Sequence, residues 1–130
     1  STSSDALAAS LLVDLRTAVP AVRLEARYAT PWNFMGAILP GYEAPRLLLR
    51  REAAESLAVV AAELAEEGLG LKVYDAYRPV RATLAMVAWA RRIGRDDLLR
   101  DGYIAERSRH NLGLAVDLTL VELASGQELK

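Results

Sequence analysis

From Leu114 to Val121 the chain alternates without a break, with Leu114, Val116, Leu118 and Leu120 on one side and Ala115, Asp117, Thr119 and Val121 on the other. A two-residue period belongs to a pleated strand and cannot form one face of a helix. This segment therefore commits part of the chain to a sheet. Asp117 is its anomaly: aspartate is depleted in strands, and a buried carboxylate needs a partner.

The remaining patterns set what surrounds that strand. Val22–Ala29 (VRLEARYA) alternates as well and predicts a half-buried strand, and Leu71–Tyr77 (LKVYDAY) predicts another. Arg51–Glu67 carries Leu57, Val60 and Leu64 at helical spacing, Glu52, Glu55, Glu63 and Glu66 at polar positions, and Gly68 and Gly70 as a stop. Val80–Ile93 repeats the pattern through Val80, Leu84 and Val87, with Pro79 at its opening. Shorter helices are expected over Asp5–Leu12, after a polar lead-in at residues 1–5, and around Leu98–Leu99 in the polar stretch Gly94–Arg107. Three prolines and two glycines make residues 30–46 irregular. Ala124–Gln127 reads as a hairpin turn, with Glu128–Leu129 opening a return strand. The sequence stops as that hairpin starts to close, so residues 1–130 are expected to form a single, incomplete domain. Helices between strands and a terminal hairpin predict an α+β fold: a small antiparallel or mixed sheet with helices packed on one face.

Composition narrows the functions. Sixteen Lys+Arg against 17 Asp+Glu give a net charge of -1, which excludes the basic surface of a nucleic-acid binder. No run approaches the roughly 18 apolar residues of a membrane span. With no cysteine there is no disulfide, thiolate zinc site or thiol nucleophile. The single histidine, His110, means that a site needing two imidazoles cannot come from this chain alone.

Two segments can carry chemistry. In Ser108–Asp117 (SRHNLGLAVD), a divalent cation shared with His110 would satisfy Asp117, and imidazole with carboxylate suits zinc. The alternative is a loop histidine beside a solvent-facing aspartate. Seven extended residues reach roughly 23 Å, so the chain must fold back between the two, and Gly113 is the natural bend. In Tyr74–Pro79 (YDAYRP), Pro79 holds Arg78 out of helical geometry at a strand end. There Arg78 can bind a carboxylate or a developing oxyanion, or serve as a structural salt bridge to Asp75 or Asp117.

YDAYRP followed by SRHNLGLAVDLTL resembles the zinc D-alanyl-D-alanine dipeptidases of the vancomycin-resistance type, and the likeness extends upstream through RYATPWNFMG and Gly41–Glu43. The resemblance implies that His110 and Asp117 are zinc ligands and that Arg78 stabilises the tetrahedral intermediate. It places Ser108 at the substrate's amino end and Tyr28 and Tyr42 on the wall of a small pocket. For these three the plainer readings are a hydroxyl bonded to nearby backbone and tyrosines packed amphipathically. Trp32 and Trp89 read as packing residues. The implied substrate is D-Ala-D-Ala or another small wall-derived peptide, in a bacterial cytoplasm or periplasm.

The family pattern continues with an E-x-W-H segment whose histidine completes the zinc site and whose glutamate is the general base. That segment does not occur here, and Glu122 and Glu128 do not match it. The expectation is a chain that supplies part of a site and is inactive alone, with the C-terminal remainder lost or present as a separate polypeptide. The alternatives are a related D,D-carboxypeptidase or endopeptidase, and a non-catalytic fragment that needs a complementary segment.

Overall fold

A computed structural model describes residues 11–42, 46–102, 104 and 108–129. The polar lead-in, most of the expected opening helix over Asp5–Leu12, Glu43 of the GYE segment and residues 103 and 105–107 lie outside the described residues. Leu12 belongs to a strand.

β1 (Leu12–Asp14) pairs antiparallel with β3 (Leu48–Arg50), Val13 opposite Leu49. Between them come α1 (Leu15–Ala18), whose first turn is capped by the Asp14 carboxylate accepting from the Arg16 N–H at 2.9 Å, and β2 (Arg23–Leu24). α2 (Arg51–Ala65) follows β3 directly and leads through a turn at Gly68 (φ +75°) into β4 (Leu69–Asp75). β4 is the centre of a mixed three-stranded sheet, parallel to β2 and antiparallel to β5 (Asp117–Glu122). α3 (Val80–Arg92) and the short α4 (Asp97–Arg100) fill the chain between β4 and β5. The fold is α+β, as the patterning implies.

Two apolar clusters hold it together. Leu71 and Val73 of β4 pack against Ala54, Leu57 and Ala61 of α2, with Leu15, Leu47 and Leu49 beside them. α3 buries Ala82, Met86, Val87 and Ala90 against Leu39, Tyr42 and Ile104. Each buried leucine in these clusters contributes about 1.5–3 kcal/mol.

Several local expectations are corrected. The second strand is only Arg23–Leu24, because the chain coils into a 3-10 turn at Arg27–Ala29 that turns it away from the sheet. Val60 of α2 and Val80 and Leu84 of α3 face outward, at 45%, 55% and 56% exposure. The buried faces combine the alanines Ala54, Ala61, Ala82 and Ala90 with Leu57, Met86 and Val87. Gly70 does not stop α2 but lies within β4, where an added Cβ would come within 3.2 Å of Leu123. Regular pairing on the last strand begins at Asp117 rather than Leu114. Leu118 and Leu120 remain 40% and 37% exposed at the sheet edge, while Val121, on the opposite side, is buried. The terminal hairpin forms as read: Glu122 N–H donates to Gln127 O and Leu129 N–H to Leu120 O. Among the described residues no helix is long and apolar enough to cross a membrane.

Candidate metal and substrate site

The site lies where β4 ends, and it begins with an irregularity. Pairing of β4 with β5 slips between Val73 and Asp75, so that Asp75 stands opposite Asp117. A bulge at this point re-aims side chains at the sheet end. Two carboxylates placed as cross-strand partners repel, and a cation between them relieves the repulsion. Arg78 takes that position. Its Nη2 lies 2.8 Å from Asp75 Oδ2 and 3.8 Å from Asp117 Oδ2, and its Nε donates to Asp75 at 3.1 Å. Both salt bridges considered for Arg78 are thus present.

The 3-10 turn Arg109–Leu112 delivers His110 to the same place. Ser108 and Asn111 form a capping box: the serine hydroxyl accepts from His110 N–H at 3.2 Å, and the Asn111 carbonyl oxygen accepts from Ser108 N–H at 3.0 Å. Asn111 also donates to Arg78 O and Thr83 Oγ1, both at 2.9 Å, tying the turn to the start of α3. Gly113 closes the turn in left-handed geometry, φ 70° and ψ 29°, and its carbonyl accepts from Arg50 N–H at 3.0 Å. The bend therefore falls where the need to fold back placed it. A Cβ at Gly113 would come within 2.6 Å of Leu12 and 3.4 Å of the Arg50 backbone. Gly113→Ala is accordingly expected to cost at least about 2 kcal/mol, from the left-handed backbone and the overlap together. Urea unfolding checks this; an unchanged midpoint would show that the turn tolerates a side chain.

His110 is oriented from both ends. Its Nδ1–H donates to Ala76 O at 2.8 Å, and its Nε2 lies 3.3 Å from Asp117 Oδ1. With an acceptor at each nitrogen the imidazole favours carrying a proton, and the Asp117 carboxylate, the largest influence, raises its pKa above the usual 6.5. Asp117 is held below the usual carboxylate value, chiefly by His110. Nε2 and the Asp117 carboxylate thus offer two ligand atoms toward one point. Two ligand atoms about 2.0–2.2 Å from one tetrahedral zinc are themselves roughly 3.4 Å apart, which the observed spacing meets. Fixing Nδ1 by a backbone carbonyl is the usual way to hold a ligating imidazole in its tautomer.

Among the described residues Asp75, His110 and Asp117 are the group whose ligand atoms cluster, all within 4.8 Å. Asp75 is fully buried and already engaged. Its Oδ1 accepts the Tyr42 hydroxyl at 2.6 Å, its Oδ2 holds Arg78, and it faces His110 across Nδ1, the nitrogen already bonded to Ala76. It braces the site from behind.

A cavity of about 270 Å³ opens beside these groups, lined by Tyr28, Phe34, Arg78, Ser108, His110 and Asp117, among others. Tyr28, Arg78, Ser108, His110 and Asp117 are thus brought together. The Ser108 hydroxyl bonds nearby backbone while still bordering the cavity. Tyr42 stands apart: it is 2% exposed, with its hydroxyl on Asp75 and the Tyr77 carbonyl. Expected on the pocket wall, it lies behind it, because the loop carrying it is packed under α3. Sequence reasoning missed Asn111 and the bond between Tyr42 and Asp75. The S-x-x-N spacing of a capping box could have exposed the first; nothing local marks the second.

A family model described as D-ala-D-ala dipeptidase matches residues 8–129. The chain belongs to this dipeptidase family. The family is one of metallopeptidases. The chain is similar to the D-alanyl-D-alanine dipeptidase of Enterococcus faecium, 38% identical over 84% of this chain and 60% of the relative. Its similarity to the enzyme of the same name from Streptomyces coelicolor is 34% over the same shares, and to that of Escherichia coli 34% over 84% of this chain and 53% of the relative. This family member therefore spans about 60% of the length of the first two relatives.

Proposed function

We propose that this chain supplies part of a zinc site that hydrolyses the dipeptide D-Ala-D-Ala. The observation that carries the reading is the 3.3 Å approach of His110 Nε2 to Asp117 Oδ1 at the mouth of a small cavity that Arg78 also lines. His110 and Asp117 are the ligands this chain offers. A zinc ion held there supplies Lewis acidity toward a water and the scissile carbonyl. Arg78, fixed by Asp75, donates to the carbonyl oxygen as negative charge develops on it. Ser108, which also lines the cavity, takes the substrate's ammonium group on its hydroxyl oxygen, and Tyr28 and Phe34 confine the methyl side chains. With one histidine in 130 residues, the third ligand and the general base are assigned to a segment outside this chain, matching the family's E-x-W-H pattern.

The test is release of free D-alanine by the full-length protein from D-Ala-D-Ala and from its N-acetylated form. Release from the free dipeptide at least about tenfold faster, lost on chelation and restored by zinc, supports the reading; losing the contact to a buried ammonium is worth at least that factor. Preference for the acylated form would instead mark a carboxypeptidase or endopeptidase. Release from neither would overturn both hydrolytic readings and leave a non-catalytic role.

A further inference from the structure

We infer that Tyr42 and Asp75 form a buried clamp that aims the Arg78 guanidinium into the cavity. Both are positioning residues that touch neither substrate nor metal. The inference rests on the functional reading of Arg78 given above.

Asp75 is fully buried and divides its two oxygens between two donors. Oδ2 receives both Nε and Nη2 of Arg78, at 3.1 and 2.8 Å. Oδ1 receives the Tyr42 hydroxyl at 2.6 Å. The first pair fixes the plane of the guanidinium relative to the carboxylate. The second fixes the rotation of the carboxylate itself, which would otherwise turn about its Cβ–Cγ bond and carry Arg78 with it. Tyr42 is anchored in turn. Its hydroxyl also lies 3.3 Å from Tyr77 O, and its ring packs 5.7 Å from that of Tyr28. Just before it, Gly41 adopts φ +91° so closely against α3 that a Cβ would meet Pro79 at 2.6 Å. The loop bearing Tyr42 is thus pressed onto the residue that follows Arg78.

Tyr42→Phe removes the hydroxyl and keeps the packed ring. In the full-length protein it is expected to lower kcat for D-Ala-D-Ala roughly tenfold, the worth of a hydrogen bond to a charged group, with KM within about twofold. Arg78→Ala is expected to lower kcat about 10²–10³-fold. Tyr42→Phe added to Arg78→Ala should then cost nothing further, because the group it positions is gone. A merely structural tyrosine would cost the same factor in both backgrounds, and that result overturns the clamp while leaving the role of Arg78 intact. Full activity in Arg78→Ala overturns both. A second measurement needs no variant. By nitrogen-15 NMR the Arg78 Nε–H should give a discrete signal exchanging at least about tenfold more slowly than that of exposed Arg95, as two bonds to a buried carboxylate require. Exchange as fast as that of Arg95 overturns the clamp.

Discussion

Asp117→Ala is expected to weaken zinc binding by more than about 100-fold, since losing even an outer partner of a ligand costs 10–100-fold and Asp117 is assigned to the metal directly. Turnover of D-Ala-D-Ala should fall with it. Titration calorimetry of the metal-free protein reads the first effect and D-alanine release the second. Affinity within a few-fold of the parent would remove Asp117 from the ligand set.

The same pair predicts how acidity acts. Metal must displace the proton that His110 holds, and Asp117 raises the pKa of that proton above the usual 6.5. Affinity should therefore decline about tenfold per pH unit once the pH falls below that raised value. Without metal the pair stabilises the fold over a bounded range. The stability from depressed Asp117 is present above about pH 3.8 and is lost as the pH falls through its lower folded value. The stability from raised His110 is present below about pH 6.5 and is lost as the pH rises through its higher folded value. The excess stability of the parent over Asp117→Ala should thus peak between those limits and shrink on either side of them. A difference that grows steadily toward pH 9 would contradict this coupling.

The largest loss of stability is expected from Asp75→Ala. It leaves a guanidinium that is 12% exposed without its main counter-charge, and a buried tyrosine hydroxyl without its shorter bond. Removing one partner of a buried ion pair costs about 3–5 kcal/mol, because the survivor stays desolvated and unpaired. Asp75→Asn carries no charge, but its one side-chain oxygen can still accept from Arg78 while its amide donates to the Tyr42 hydroxyl, so it should cost less. Urea midpoints rank the two. A loss below about 1 kcal/mol for the alanine variant would mean that water or another carboxylate replaces Asp75.

What could be read in advance followed physical range. His110, Gly113 and Asp117 lie within one short segment, so the need to fold back, the glycine that allows it and the aspartate out of place in a strand were all visible locally. Arg78 was legible because Pro79 restricts it. The terminal hairpin was legible because its turn chemistry is local. The buried faces of α2 and α3 are not legible in the sequence for a different reason. Large apolar residues at helical spacing point to Val60, Val80 and Leu84, whereas the interior takes Ala54, Ala61, Ala82 and Ala90 beside Leu57, Met86 and Val87. The strand over Val22–Ala29 was overextended because alternation cannot show where a neighbouring strand stops. Tyr42 reaches Asp75 across 33 positions, a juxtaposition that only the packed loop creates.

Two bonds between β4 and the turn at His110 carry a wider consequence. The imidazole donates to the main-chain carbonyl of Ala76, and the main-chain N–H of Arg78 donates back to the carbonyl of His110 at 2.8 Å. His110 and Arg78 are therefore laced to each other by two bonds, each ending on a main-chain carbonyl, and the one from Arg78 N–H joins two peptide groups. Residues on the cavity wall, Tyr28 and Phe34 among them, take no part in this lacing. A change of side chain at Tyr28 or Phe34 can thus reshape the cavity wall while leaving both of these bonds in place.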